Sequence, residues 1–308
     1  MVHLETATRP FFAGAFTAMV TPFRDDELDL DALRGMTEFQ IAEGISGLVP
    51  CGTTGESVTL TEREHDQVIE TVIEAAAGRV PVIAGTGTND TRRTIEQTRH
   101  ARAAGATAAL VVVPYYNKPT QEGMLRHFTA VADAVDLPIV LYNVPGRTGV
   151  NMTAETTLRL ATHPNIVAVK EASGNLEQIS QIAIGAPDGF AVLSGDDALT
   201  LPVISVGGHG VISVTSNIAP RAVAELVELS LRGDALAART RHQRLFDLNR
   251  AMFLDNNPTS VKTAAGMLGL CTPDLRLPQV AMSAGNERLL REALTTFGLL
   301  NTCAMAAD

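Results

Sequence analysis

Eight short apolar segments, each followed by a helix-like segment, alternate along this chain as far as Pro220. Each is rich in β-branched residues and is bounded by turn residues, which is the pattern of a buried strand. Because both faces of such strands must be covered, the pattern favours a closed parallel (β/α)8 TIM barrel, an α/β fold. The predicted strands are Phe16–Val20, Gly47–Pro50, Val80–Ala84, Ala108–Val113, Pro138–Asn143, Ile166–Lys170, Phe190–Ser194 and Gly210–Val214.

An open, doubly wound parallel sheet is the alternative. Its dinucleotide-binding fingerprint is missing, since residues 85–90 begin like GxGxxG but end in aspartate. After Pro220 the strands stop, and we expect a (β/α)8 barrel with the active site over residues 1–233 and a small all-helical domain over 234–308. The helices predicted after Pro220 are Ala222–Leu231, Leu236–Met252, Ser260–Leu268 and Asn286–Phe297.

Several helix starts are marked by threonine. Thr61 and Glu64 have the spacing of a capping box, in which each side chain bonds the other's backbone N–H. Thr91, Thr120 and Thr153 are predicted to be the N-caps of later helices.

The charge balance limits the partners that the chain can bind. There are 24 Lys and Arg residues against 34 Asp and Glu residues, a formal net charge of −10. Without a basic patch the chain is a poor candidate for binding nucleic acid or an anionic membrane. An anionic substrate must therefore be held by a few local donors.

Neither a secretory nor a membrane protein is indicated. Cys51, Cys271 and Cys303 are too few and too scattered for a disulfide framework or a zinc cluster. Residues 1–14 lack a signal-peptide pattern, and residues 198–220, although free of charge, contain Pro202 and a glycine-rich turn. We predict a buried helix, turn and strand in that stretch and a cytoplasmic protein.

Unusual residues recur at the carboxyl ends of the predicted strands, where barrel enzymes carry their reactive groups. Lys170 ends an apolar strand, and burial disfavours the charged form of an amine, so that a neutral fraction can attack a carbonyl. The alternative is a lysine that reaches solvent or pairs with Glu171. The open barrel mouth and the nearby tyrosines favour a nucleophile.

Hydroxyl groups near Lys170 can move the protons that Schiff-base chemistry requires. Tyr142 lies at the end of the preceding strand, and Thr53 and Tyr116 can complete a chain of hydroxyls. For each tyrosine the alternative is an ordinary residue at the edge of the core.

Two segments are candidates for binding carboxylates. Backbone N–H groups of the Thr53-Thr54-Gly55 turn can bind a small carboxylate, and Arg147, placed in a loop, can bind a second one bidentately. The alternatives are a plain tight turn and a solvated surface charge. No HExxH, CxxC pair, P-loop or GxSxG is present, and we expect no metal and no organic cofactor, because the iminium is its own electron sink.

Four motifs together resemble the dihydrodipicolinate synthase family, class I pyruvate aldolases of the superfamily that includes N-acetylneuraminate lyase. The likeness runs from about Gly14 to Leu300. The motifs are GTTGE at Gly52–Glu56, YNVPGRTG at Tyr142–Gly149, VKEA at Val169–Ala172 and GDD at Gly195–Asp197.

The resemblance implies condensation of pyruvate with L-aspartate 4-semialdehyde, the step committed to diaminopimelate and lysine. By it, Lys170 forms the pyruvate Schiff base and Tyr142 is the proton donor and acceptor. Thr53 and Tyr116 form the relay, Tyr116 reaching into the neighbouring subunit's site. The family is usually a homotetramer, a dimer of dimers.

The resemblance also assigns substrate-binding residues. Thr54 and the backbone of Ile212 would hold pyruvate, Gly195 belongs to the same set, and Arg147 would hold the carboxylate of the semialdehyde.

Lysine inhibition is predicted to be weak or absent. Relatives inhibited by lysine bind it at the dimer interface through residues matching His65, Asn89 and Tyr115, which are present here. Glu62 replaces a histidine common in such relatives, and Arg93 replaces a glutamate that would contact the effector's amine. The guanidinium of Arg93 should repel lysine. No role is assigned to the first 13 residues.

Two alternative functions differ in what they require. The first is another Schiff-base pyruvate aldolase or dehydratase, acting on a sugar acid or a related 2-oxo acid; Arg147 favours a small carboxylated aldehyde instead. The second is a non-catalytic sensor or scaffold barrel. It predicts the loss of at least one of the four catalytic residues inferred above, and all four are present.

Overall fold

Eight parallel strands form a ring in the structure, a computed structural model that describes residues 10–301. The predicted (β/α)8 barrel is thus confirmed. The strands are β1 Gly14–Ala18, β4 Gly47–Val49, β5 Ile83–Gly85, β6 Ala108–Val112, β7 Ile139–Asn143, β8 Ile166–Glu171, β9 Ala191–Ser194 and β10 Gly210–Ser213. Around the ring their order is β4-β1-β10-β9-β8-β7-β6-β5, and a bridge between Leu48 and Val82 joins the two ends.

The remaining elements cover the outside of the ring and its ends. A short hairpin, β2 Phe23–Arg24 and β3 Glu27–Leu28, follows β1 and was not predicted. The helices are α1 Leu30–Ala42, α2 Glu62–Ala76, α3 Thr91–Ala104, α4 Gln121–Ala134, α5 Pro145–Thr148, α6 Ala154–Ala161, α7 Leu176–Gly185, α8 Thr200–Ser205, α9 Pro220–Leu231, α10 Ala235–Ala251, α11 Thr259–Met267 and α12 Ala284–Phe297.

The core has two layers because strand side chains alternate between the faces of the sheet. One set fills the inside of the barrel, including Phe16, Ile83, Leu110, Val140 and Ile212. The other set lies between the strands and the helices. The uninterrupted apolar runs in the sequence therefore supply both layers.

The third strand of the barrel, β5, was predicted to start at Val80, but it starts at Ile83. Pro81 has no N–H to donate, but its carbonyl still accepts a 3.0 Å hydrogen bond from the N–H of Leu48. That bond lies where the ring closes.

Most of the predicted helix starts are confirmed. Thr61 and Glu64 form the capping box, and the hydroxyls of Thr120 and Thr153 accept hydrogen bonds as N-caps. The prediction for Thr91 is wrong: the N-cap is Asp90, whose carboxylate accepts hydrogen bonds from the N–H groups of Arg92 and Arg93 at 2.8 and 3.1 Å. A carboxylate is favoured there because it also interacts with the positive end of the helix.

The charge-free stretch 198–220 contains helix α8, a turn and strand β10, as predicted. Within residues 10–301, no helix is both long enough and apolar enough to cross a bilayer. Cys51 and Cys271 are free thiols, while Cys303 and the first nine residues lie outside the described residues.

The last three helices pack beside the barrel. Helix α10 lies against α9 and α12, and α11 lies against α12. The domain boundary predicted after residue 233 falls between α9 and α10 and stays a prediction.

The contact between β1 and β10 requires glycine. Gly210 has φ +151° and pairs with Gly14, and a Cβ atom added to it would lie 1.9 Å from the carbonyl oxygen of Gly14. We expect Gly210→Ala to lower the free energy of unfolding by about 2–4 kcal/mol, through strain and separation of the strands. Urea denaturation followed by circular dichroism measures this loss.

The matched control is Gly35→Ala in the interior of α1, where nothing lies within 4 Å of the added Cβ. This variant should gain about 0.5–1 kcal/mol, because alanine restricts the unfolded chain and favours a helix. Equal stability of the Gly210 variant and the wild type would contradict the close approach of the two strands.

Candidate active site

A cavity of about 340 Å³ opens at the rim formed by the carboxyl ends of the strands. That is the end of a (β/α)8 barrel at which active sites lie, and the volume suits a small molecule. Its walls come from the segments after β4, β5, β6 and β7 and from residues 257–258 and 278–279. The polar residues on these walls include Thr53, Tyr115, Tyr142, Arg147 and Asn257.

Lys170 and Tyr142 are neighbours across two paired strands. Lys170 on β8 is in register with Tyr142 on β7, and each is only 6% exposed. The Nζ atom of Lys170 lies 4.3 Å from the centroid of the Tyr142 ring. Because strand residues in register point the same way, both side chains are directed to the cavity end of the barrel.

The chain has three lysines, and their surroundings differ sharply. Lys118 is exposed on the loop after β6. Lys262 is fully buried in an ion pair with Glu56, with 2.6 Å between Nζ and Oε1. Among the described residues Lys170 forms no ion pair, and its amine faces an aromatic ring. Lys170 is therefore the buried amine without a counter-ion among the described residues, and its neighbour Tyr142 lines the cavity.

Gly195 leaves room for the lysine. A Cβ atom on Gly195 would lie 3.2 Å from Cε of Lys170 and 2.6 Å from Cβ of Ala172. A larger residue would push the lysine stem out of place. Ile212 is fully buried on β10, paired with Phe16 of β1, so that its backbone is held at the same end of the barrel.

A buried carboxylate holds the turn beyond Ile212. Asp197 accepts hydrogen bonds from the hydroxyl of Ser213 and from the N–H groups of Val214, at 2.8 Å, and Thr215, at 3.3 Å. Burial raises the pKa of Asp197, and these three donors oppose that shift. The loop after β9 is thereby joined to the end of β10.

The loop after β4 places Thr53 on the cavity wall, while Thr54 is buried behind it at 2% exposure. The Oγ1 atom of Thr54 accepts a 3.0 Å hydrogen bond from Nδ2 of Asn257. Oδ1 of Asn257 is buried without a partner among the described residues. A residue of the helical segment after the barrel thus completes the wall of the cavity.

A second tie joins the same loop to the helical segment. Glu56, with φ +52°, accepts a hydrogen bond from the ammonium of Lys262 and a 3.2 Å bond from the N–H of Arg276. Lys262 and Arg276 both lie over the Phe23 ring, at 4.0 and 4.4 Å from its centroid. Burial lowers the pKa of Lys262, and the carboxylate of Glu56 opposes that shift.

Arg147 and Tyr116 are both exposed in this chain, on different segments of the rim. Arg147 was expected in a loop, but Pro145–Thr148 forms one helical turn, α5, because proline is favoured at the first position of a helix. Arg147 is exposed there and lines the cavity. Tyr116 is 88% exposed, with φ +72°, and its neighbour Tyr115 lines the cavity of this chain instead.

Two of the three residues predicted to bind lysine line the cavity. His65 and Tyr115 line it, and His65 Nε2 lies 2.8 Å from the carbonyl oxygen of Gly85. Burial lowers the pKa of His65. Glu62 and Arg93 form a 3.9 Å ion pair with each other at the surface. Asn89 is half-buried, and its carbonyl accepts from Asn117.

Sequence reasoning missed Asn257 and Lys262. One signal for Lys262 was available: it is the only charged residue between Asp255 and Asp274, in an apolar helical stretch. A lone charge in such a stretch indicates a buried ion pair. Nothing in the sequence indicated that its partner is Glu56.

Carbonyl chemistry through a lysine amine is the reaction for which these groups are suited. A barrel enzyme of this kind is a lyase of the class I aldolase type.

Comparison with known proteins narrows this class to one family. The chain belongs to the dihydrodipicolinate synthetase family, whose model matches residues 11–296. A relative from Thermomicrobium roseum, named 4-hydroxy-tetrahydrodipicolinate synthase, is 53% identical over 283 residues, which cover 92% of this chain and 94% of the relative.

Solved structures agree with the family. The dihydrodipicolinate synthase of Acinetobacter baumannii complexed with pyruvate is 42% identical, with a TM-score of 0.92, and the match covers 94% of this chain and 99% of that one. The enzyme of Cyanidioschyzon merolae with lysine bound is 44% identical, with a TM-score of 0.93, over 95% of this chain and all of that one, 100%.

The Glu56–Lys262 pair gives a stability prediction. Lys262→Met leaves a buried carboxylate without its cation and should cost about 3–5 kcal/mol. The double variant Glu56→Gln/Lys262→Met removes both charges and should be more stable than the single Lys262 variant. Urea denaturation of the two variants and of Glu56→Gln provides the double-mutant cycle. Additive losses would show that the two side chains do not interact.

Proposed function

We propose that this protein is a 4-hydroxy-tetrahydrodipicolinate synthase, which condenses pyruvate with L-aspartate 4-semialdehyde in the diaminopimelate route to lysine. The observation that carries the proposal is the buried amine of Lys170, 4.3 Å from the centroid of the Tyr142 ring, which lines the cavity at the barrel mouth. It occurs in a chain 53% identical to a relative with that name. The proposal requires no metal and no organic cofactor, and it assumes a cytoplasmic enzyme.

The first half of the reaction takes place on Lys170. Its neutral Nζ attacks the C2 carbonyl carbon of pyruvate, the oxygen takes up a proton, and the carbinolamine loses water to give an iminium. Loss of a proton from C3 then gives an enamine, whose electrons came from the C–H bond. Tyr142, beside Nζ, supplies and accepts these protons, and Thr53 and Tyr116 relay them.

In the second half, the enamine carbon attacks the aldehyde carbon of the semialdehyde, and the aldehyde oxygen takes up a proton. The amino group that came with the semialdehyde then attacks the iminium carbon and so closes the ring. A proton passes from this nitrogen to Nζ of Lys170, and the C–Nζ bond breaks to leave the free amine of Lys170 and a C=N bond in the ring. The product carries the new carbon–carbon bond, and the enzyme is regenerated.

The substrate-binding residues are part of the proposal. We propose that Thr54, in the loop after β4, Gly195, directly after β9, and the backbone of Ile212 on β10 bind pyruvate. Arg147, which is exposed and lines the cavity, binds the carboxylate of the incoming semialdehyde in this proposal.

Tyr116 makes assembly part of the proposal. Its side chain is 88% exposed and lies outside the cavity of its own chain, which supports a role in a neighbouring subunit's site. We therefore propose a dimer of dimers in which each catalytic relay takes Tyr116 from the partner.

The proposal predicts that activity depends on Lys170 and not on the exposed Lys118. Lys170→Ala should lower kcat by more than about a thousandfold, since no other group supplies the covalent intermediate. The measurement is pyruvate-dependent consumption of the semialdehyde, coupled to NADPH oxidation by the downstream reductase.

Lys118→Ala is the matched control, because it removes an exposed lysine from the same rim and should leave kcat unchanged. A folded wild-type protein without turnover would overturn the proposal. Turnover of sugar acids or related 2-oxo acids by that sample would establish the alternative aldolase, and Arg147 would be the first assignment withdrawn.

We also propose that lysine inhibits this enzyme weakly or not at all. The guanidinium of Arg93, 52% exposed beside the cavity, repels an ammonium group. Glu62 is paired with Arg93 and is more exposed, which weakens any attraction that it offers to lysine.

Arg93→Glu should therefore increase sensitivity to lysine by about tenfold or more, since it exchanges repulsion for attraction. Steady-state rates at increasing lysine concentration measure the effect. Arg92→Glu, the same change of charge on the neighbouring exposed residue, should not alter the inhibition. A submicromolar inhibition constant for lysine on the wild type would contradict this proposal.

A further inference from the structure

A buried polar network lies directly behind the two strand ends that carry Tyr142 and Lys170. Asn143 and Glu171, the next residue on each strand, are themselves in register and are 0% and 1% exposed. Since successive strand residues point to opposite faces, these two side chains lie on the outside of the barrel. Nδ2 of Asn143 lies 3.2 and 3.0 Å from the two carboxylate oxygens of Glu171.

The carboxylate of Glu171 is held by neutral donors. Besides Asn143, it accepts a 2.7 Å bond from the N–H of Ser173 and a 3.1 Å bond from Nε2 of Gln178 on α7. Among the described residues it forms no ion pair. A buried carboxylate that is satisfied by three donors in fixed directions is costly to place and is tightly oriented.

The network extends to the segment that follows Arg147. Oδ1 of Asn143 accepts from the N–H of Met152 at 3.0 Å, and its Nδ2 lies 2.8 Å from Oδ1 of Asn151. Asn151 in turn donates to Oε1 of Gln178 at 2.8 Å. The end of β7, the end of β8, helix α7 and the chain just after α5 therefore share one set of hydrogen bonds.

We infer that Glu171 and Asn143 are positioning residues for the reaction: the carboxylate of Glu171 fixes the strand ends that bring Nζ of Lys170 to the ring of Tyr142. The inference rests on the proposed function. Only an acceptor with two oxygens satisfies all three donors. A glutamine at position 171 turns an N–H group towards one of them, and the strand ends must shift to relieve the contact.

The test is Glu171→Gln, which keeps the shape and removes the charge. Misplacing reacting groups by about 1 Å costs about a hundredfold in rate, so kcat should fall by about that factor while the KM for pyruvate changes less than about threefold. Borohydride trapping of the pyruvate adduct, followed by mass spectrometry, should slow in parallel at saturating pyruvate.

Two further variants separate positioning from folding. Glu171→Gln/Gln178→Glu moves the carboxylate across a hydrogen bond of the same network and should restore at least about tenfold of the lost kcat. Asn151→Ala, at an exposed position of the network, should fold normally and lower kcat about five- to tenfold. If Glu171→Gln does not fold, the kcat of Asn151→Ala still tests whether the network positions the reacting groups.

Thr37→Val is the matched control. It removes a buried hydroxyl of α1 that donates a 2.9 Å hydrogen bond to the carbonyl of Leu33, away from the cavity walls, and should lower stability while leaving kcat and trapping unchanged. Trapping of the wild type together with normal kcat in Glu171→Gln and Asn151→Ala would overturn this inference alone. A wild type that pyruvate and borohydride do not modify at Lys170 would overturn the proposed function and this inference with it.

Discussion

The sheet closes between β4 and β5, where the N–H of Leu48 donates to the carbonyl of Pro81. This closure fixes the positions of the remaining six strands of the ring. In a closed parallel ring each strand has two neighbours, so a shift of one strand would break hydrogen bonds on both sides. All eight carboxyl ends must therefore meet at one rim. Residues that are far apart in the sequence come together there, and this proximity makes chemistry at the rim possible.

Ring closure alone does not orient the loops at this rim; buried carboxylates do. Glu56, Glu171 and Asp197 are 3%, 1% and 3% exposed, and each holds a different loop of the rim. Each accepts a hydrogen bond from at least one backbone N–H. In addition, Glu56 accepts from an ammonium group, Glu171 from two side-chain amides and Asp197 from a hydroxyl. Burying such groups is unfavourable unless every donor is in place, which restricts each loop to one arrangement. The rigidity of the site thus comes from buried side chains, of which Glu56 also lines the cavity.

The parts of the structure that local patterns determine were predictable, and the parts that distant contacts determine were not. Apolar runs and turn residues were sufficient to predict the eight strands, and Lys170 stood out as a lysine ending a buried strand. Asn257 and Lys262 contact residues 203 and 206 positions earlier in the chain, and no local signal identifies such partners. The outward direction of Tyr116 follows from a left-handed backbone conformation, φ +72°, that tyrosine rarely adopts. The predicted role of Tyr116 in a neighbouring subunit's site came from the resemblance to a family, because periodicity alone could not indicate it.

The three lysines show how the fold gives one residue type different roles. Lys118 is exposed to water on the loop after β6. Lys262 is 0% exposed and is held by a carboxylate at 2.6 Å, so that no carbonyl compound reaches its amine. Lys170 is also buried, but its amine faces the ring of Tyr142, which lines the cavity, and Gly195 leaves space beside its stem. Burial alone therefore does not make a lysine a nucleophile. The amine must also be free of an ion pair and lie beside a group at the cavity that can exchange protons with it, and of the three lysines Lys170 meets both conditions among the described contacts.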